Sequence, residues 1–101
     1  MALVKVAHIG DIPDKSGKEI NVKGTRIALF YANGRYYAME AQCRHQDGSL
    51  SPGAIDGEVV ECPLHAWHYN IRTGELLDYI AGVKLETYKV EIKDNDIYID
   101  V

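Results

Sequence analysis

Cys43-Arg44-His45 and, after sixteen intervening residues, Cys62-Pro63-Leu64-His65 contain both cysteines of the chain and two of its four histidines. Each piece offers one sulfur and one imidazole nitrogen, cysteine first. Thiolates are soft donors and neutral imidazoles borderline ones, so two of each suit zinc or an iron–sulfur centre. Structural zinc sites usually pair like with like, cysteine near cysteine and histidine near histidine. Here each piece is mixed, which favours iron–sulfur chemistry over a mononuclear zinc. A purely structural reading of Cys43 and Cys62 leaves two Cys–His pairs to coincidence. No disulfide is expected, because nothing marks the chain as secreted and cytosolic thiols stay reduced.

The rest of the sequence must position those donors. Leu3 to Ile9 alternates apolar and polar positions, as a half-buried strand does. Asp11 to Lys18 is rich in turn formers and reads as a loop. Glu19–Lys23 and Thr25–Ala32 are strand-like, and Asn33-Gly34 makes a two-residue hairpin turn into the return strand Arg35–Gln42. Thr87–Lys93 and Ile97–Val101 flank Asp94-Asn95-Asp96 as a second hairpin. No amphipathic stretch is convincing as a helix of more than two turns. The pattern predicts an all-β fold of short antiparallel strands, a sandwich or a small open barrel. Residues 43–80 break the alternation. They hold both cysteines, the only Trp, and Gly48, Gly53, Gly57 and Gly74. They read as loops and short hairpins inserted between framework segments 1–42 and 81–101, so a single domain spans 1–101.

With 101 residues and 47% hydrophobic content, the chain can build one core, which excludes disorder. No apolar run approaches the roughly 20 residues that span a bilayer, and no leader is evident, so a cytoplasmic protein without membrane partners is expected. A net charge of −4 argues against nucleic acid and favours a basic protein partner. Neither a nucleophile–base pair nor a nucleotide-binding loop is present. The chain reads as a component rather than an enzyme.

The order Cys-x-His then Cys-x-x-His, on two loops of similar size, resembles the Rieske iron–sulfur motif. His45 to Gly53 looks like its first loop, and Cys62 to Gly74 like its second loop and following hairpin. The resemblance covers nearly the whole chain and implies a Rieske-type antiparallel β-sandwich with a small cluster-binding subdomain. It implies one [2Fe-2S] cluster, with Cys43 and Cys62 on one iron and His45 and His65 on the other. Two ferric irons, two sulfides and two thiolates sum to a neutral oxidised centre. Reduction is therefore easier than in all-cysteine clusters, with potentials of roughly −150 to +300 mV against about −400 mV. The resemblance implies a one-electron carrier between a flavoprotein reductase and a terminal oxygenase or other redox enzyme, with the histidine-bound iron as electron port. The small subunit of a nitrite reductase is the alternative within this chemistry. A zinc-stabilised binding module is the alternative outside it.

Departures from the high-potential members of that family are informative. Their extra cysteine pair is absent here, where Gly48 or a neighbour and Leu64 stand. Their serine two residues past the second histidine is Trp67, while the tyrosine after it is kept as Tyr69. Losing such a donor costs roughly 1.5–3 kcal/mol, or on the order of 60–130 mV, and points to a low-potential member. The third, covering loop would be Tyr79–Leu85, which has no proline. Trp67 is expected to pack and to shield the cluster, and Tyr69 to reach a cysteine sulfur. Gly48, Gly53 and Gly57 are candidates for close backbone approach. His8 reads as a surface strand histidine, and His68 as solvent-exposed or a partner contact. Asp47, Asp56, Glu58 and Glu61 form a solvated or docking rim.

Overall fold

The computed structural model describes residues 3–42, 49–63, 67–78 and 82–100. Nine strands and no helix occur among them. They are β1 (Leu3–His8), β2 (Ser16–Val22), β3 (Thr25–Ala32), β4 (Arg35–Glu40), β5 (Ala54–Asp56), β6 (Val59–Glu61), β7 (His68–Asn70), β8 (Thr87–Lys93) and β9 (Asp96–Asp100). Two-residue turns join the hairpins, as the sequence pattern predicts. Asn33 and Gly34 both have positive φ, 56° and 74°, which matches the twist of the flanking strands. Asp94 and Asn95 do the same between β8 and β9, so Asp96 belongs to the return strand and not to the turn.

Six strands form one antiparallel sheet in the order β1-β9-β8-β4-β3-β2. Its two halves are joined by a short seam. β4 and β8 pair only at Ala38↔Tyr88 and Met39↔Thr87, and Glu40 adds an N–H bond to the Glu86 carbonyl of 2.9 Å. Beyond that point the strands part, and the halves fold over each other around Ile27, Leu29, Ala38, Ile97 and Ile99. The remaining strands make a separate sheet, β5-β6-β7, which covers the other face of β3 and β4. The fold is all-β and antiparallel, as expected: the two sheet halves pack as a sandwich, and the small sheet of short hairpins lies on it.

β3 is shared by both cores. Ile27 and Leu29 point between the sheet halves; Ala28, Phe30 and Ala32 point toward the small sheet. A period of two makes this possible only if both faces are apolar, as the run Ile-Ala-Leu-Phe is. Burying Phe30 completely contributes roughly 1.5–3 kcal/mol. Its ring also explains one departure from the sequence reading. Ser16, Gly17 and Lys18 were expected in a loop but belong to β2, paired with Tyr31, Phe30 and Leu29. Gly17 is no turn residue: a Cβ there would sit 2.5 Å from Cδ1 of Phe30, so the strand passes over the ring only without a side chain.

Candidate metal centre

Three chain reversals leave the framework beside one another, and each is closed at its base. The first is held by the bridge Gln42↔Ser49 and by the Leu50 N–H donating to the Ala41 carbonyl at 2.7 Å. The second follows β6: Glu61 pairs with His68, and the Cys62 N–H donates to the Trp67 carbonyl at 2.6 Å. The third is closed by the bridge Glu75↔Lys84 and the Leu76 N–H on the Val83 carbonyl, 2.9 Å. Leu77 then donates to the His68 carbonyl at 2.8 Å, which ties the third reversal to the second. Ala41, Leu50, Cys62, Tyr69, Leu76 and Leu85 meet in one buried cluster beneath them.

Gly53 presses the first two bases together. Its N–H donates to the Leu50 carbonyl at 2.9 Å, and a Cβ there would fall on the Glu61 carbonyl oxygen and crowd Val60. Of the three glycines expected to allow close approach, Gly53 does so against backbone. Gly57 instead supplies positive φ, 63°, in the β5–β6 turn and has open space around it. The far end of the small sheet is pinned as well. Asn33 Nδ2 donates to the Gly57 carbonyl at 2.8 Å, and Arg72 pairs with Glu58.

Of the four expected ligands, Cys62 is described. It is fully buried, one residue past β6 and in step with inward-facing Val60. Cys43, His45, His65 and Gly48 lie outside the described residues, as do Asp47 and 79–81 of the expected third loop. Trp67 is half-buried and packs on the cluster that holds Cys62. Tyr69 is fully buried in that same cluster. A buried thiol at the foot of a closed loop suits a metal-bound sulfur, because burial opposes a bare thiolate and a cation offsets that cost.

His8 is exposed and pairs with Asp96 at the end of β1, a surface strand histidine as expected. His68 is partly exposed, and it is engaged within the chain as well. Its Nδ1 lies 2.5 Å from Asp78 Oδ2 and its Nε2 3.2 Å from Glu61 Oε1. The Asp78 carboxylate, helped by Glu61, raises the imidazole above its ordinary value, and His68 in turn lowers Asp78. Nothing in the sequence marks Asp78, ten residues away, as its partner. Glu61 and Glu58 are thus paired within the molecule, whereas Asp56 is exposed.

The Rieske [2Fe-2S] domain family matches residues 2–89. The 3-phenylpropionate/cinnamic acid dioxygenase ferredoxin subunit of Photorhabdus laumondii is 36% identical, over 100% of this chain and 96% of its own length. A ferredoxin-containing complex of carbazole 1,9a-dioxygenase, solved with its oxygenase, holds a chain 32% identical. Its TM-score is 0.87, with 96% of this chain and 91% of that one covered. A chain assigned as the small subunit of an NADPH nitrite reductase matches over 100% of both at 26% identity and TM-score 0.87. The family match spans both Cys–His segments and the buried layer under them, and it brings a [2Fe-2S] cluster as cofactor. The chain belongs to the Rieske [2Fe-2S] domain family.

Proposed function

We propose that this chain is a one-electron carrier that takes its electron from a flavoprotein reductase and delivers it to a terminal oxygenase. Cys43 and Cys62 hold one iron, His45 and His65 the other, within a portion of the domain inserted at roughly 43–80. The observation that supports this best is the joining of the two loop bases at Gly53, each loop carrying one Cys–His pair. Relatives that are ferredoxin subunits of dioxygenases over their full length support the choice of partner. When bound, the cluster supplies a one-electron couple above the roughly −400 mV of plant-type ferredoxins. The protein does the rest. Burial of Cys62 keeps water from one sulfur, and the packed Trp67 ring covers the layer that holds it. Closed loop bases fix the donors' spacing before an electron arrives. The chain performs no bond-making step of its own.

Iron and sulfide analysis tests the ligand set. His45→Ala and His65→Ala are expected to lose the two irons, and His8→Ala to keep both with the visible spectrum of a Rieske centre. Two irons per chain in the His65→Ala protein would sink the assignment. A second reading, the small subunit of a nitrite reductase, is favoured by the full-length match to such a chain. A subunit of that kind stays bound to its catalytic partner, whereas a shuttle runs as a free species on gel filtration of a native extract.

A further inference from the structure

His68 sits at the junction of two of the three reversals. On one side Glu61 immediately precedes Cys62; on the other Asp78 immediately precedes residues 79–81. Asp78 Oδ2 accepts two bonds from this residue, the backbone N–H at 2.7 Å and Nδ1–H at 2.5 Å. Nε2 lies 3.2 Å from Glu61 Oε1. Carboxylates accept and do not donate, so the ring bonds both at once only as an imidazolium, the state that the two carboxylates favour. The neighbours on the same outer face, Ala54 across β6 and Asn70 along β7, carry no charge. Among the described residues, Glu61 and Asp78 are therefore the charged groups that face it from the elements packed against it.

We propose that His68 is a positioning residue for the electron-transfer centre. As a single cation donating to Glu61 and Asp78, it fastens Leu76–Asp78, the near side of the third reversal, to the strand pair that presents Cys62. This rests on the assignment of Cys62 and His65 as ligands. Charge-assisted bonds are about twice as strong as neutral ones, and here two of them act on one ring. The backbone contribution at this junction is the Tyr69↔Leu76 bridge, with the Leu77–His68 and Asn70–Glu75 bonds on either side of it. Without the imidazolium that segment is held by fewer bonds, and a fixed positive charge is lost from the surroundings of Cys62.

Hydrogen–deuterium exchange on the iron-loaded protein tests this, with His68→Phe, His68→Arg and Asp78→Asn beside wild type. In His68→Phe and Asp78→Asn, peptides that include 76–78 are expected to exchange about tenfold faster, the loss of one charge-assisted bond. Peptides of β8 and β9 should be unchanged. His68→Arg restores a two-sided cationic donor and should return exchange to near the wild-type rate. The half-life of the visible absorbance in air should follow the same order. Voltammetry adds a readout that simple packing would not move: the potential becomes more negative in His68→Phe and recovers in His68→Arg. Unchanged exchange in both His68→Phe and Asp78→Asn overturns the proposal, as does failure of arginine to restore it. Asp78→Asn keeps His68 in place, so the link can be judged even if the phenylalanine variant does not fold. Iron analysis of the wild type separates either result from an error in the ligand set.

Discussion

At the residue scale, inward Cys62 and outward His68 mark two kinds of information in one hairpin. The spacing of cysteine and histidine was legible because each loop carries its own pair within three or four residues. The role of His68 was not, because Asp78 reaches it only after the chain has turned back through 71–76. Tyr69 is fully buried in the cluster that holds Cys62, so its expected bond to a cysteine sulfur can be put to test. Tyr69→Phe removes one hydroxyl from that layer and is expected to lower the potential by on the order of tens of millivolts with iron retained. An unchanged potential on voltammetry would show that the hydroxyl serves another partner. Glu19 carries the pH prediction. Its carboxylate bonds Arg26 at 3.2 and 3.3 Å and also Ser49 at the first loop base, which lowers it below its ordinary value of 4.5. A lowered carboxylate contributes stability above its unfolded value, and loses it as pH falls through the folded one. The pair is largely exposed, so Glu19→Gln should cost no more than about 1 kcal/mol at pH 7. Urea titrations should show that difference vanish in acid.

At the element scale, hairpins were legible; the start of β2 and the bounds of the shortest strands were not. Asn33-Gly34 announces its turn because few residues tolerate positive φ, and the structure has both there. The start of β2 was hidden because Gly17 looks like a turn former, while its reason is the Phe30 ring beneath it. The small sheet was legible only as short hairpins, because β5, β6 and β7 are three residues each, too short for alternation to show. Gly53 and Gly57 separate two uses of one residue type. Gly53→Ala puts a methyl group against the backbone of Glu61 and should cost about 1–3 kcal/mol, with iron content falling as the loop bases part. Gly57→Ala meets open space and should cost roughly 1–2 kcal/mol through its φ alone, with iron retained. Urea denaturation with iron analysis decides the pair. Equal iron loss in both would mean that Gly53 is not where the loops are joined.

At the scale of the whole molecule, the charge is unevenly placed. Residues 43–80 hold six carboxylates and two basic side chains, the rest of the chain nine of each, so the formal −4 belongs to the segment proposed to carry the cluster. Such a dipole turns an approaching basic surface toward the centre before contact, and salt weakens it over a Debye length of about 8–10 Å. Asp56→Lys, on the exposed face of the small sheet, should slow electron transfer to the redox partner and flatten its dependence on ionic strength. Asp94→Lys, in the framework turn, should change neither. Stopped-flow rates across a salt series check this, and matching slopes in the two variants would rule out steering by the inserted part. Among the described residues no helix is long and apolar enough to cross a membrane.

β3 has consequences for the physics of the electron itself. It has no solvent face along Ile27–Phe30, and it is paired on both edges, to β2 and to β4. The first loop hangs from the end of β4, at Ala41, which is itself fully buried and hydrogen-bonded back to Arg26 at 3.1 Å. A close-packed interior compresses little, so a strand fixed on four sides cannot swing when charge appears beside it. Surroundings that stay still add little reorganisation energy, and dipoles already in place need not turn to meet the new charge. The same strand that joins the two cores thus keeps the barrier for a single-electron hop small, in both directions.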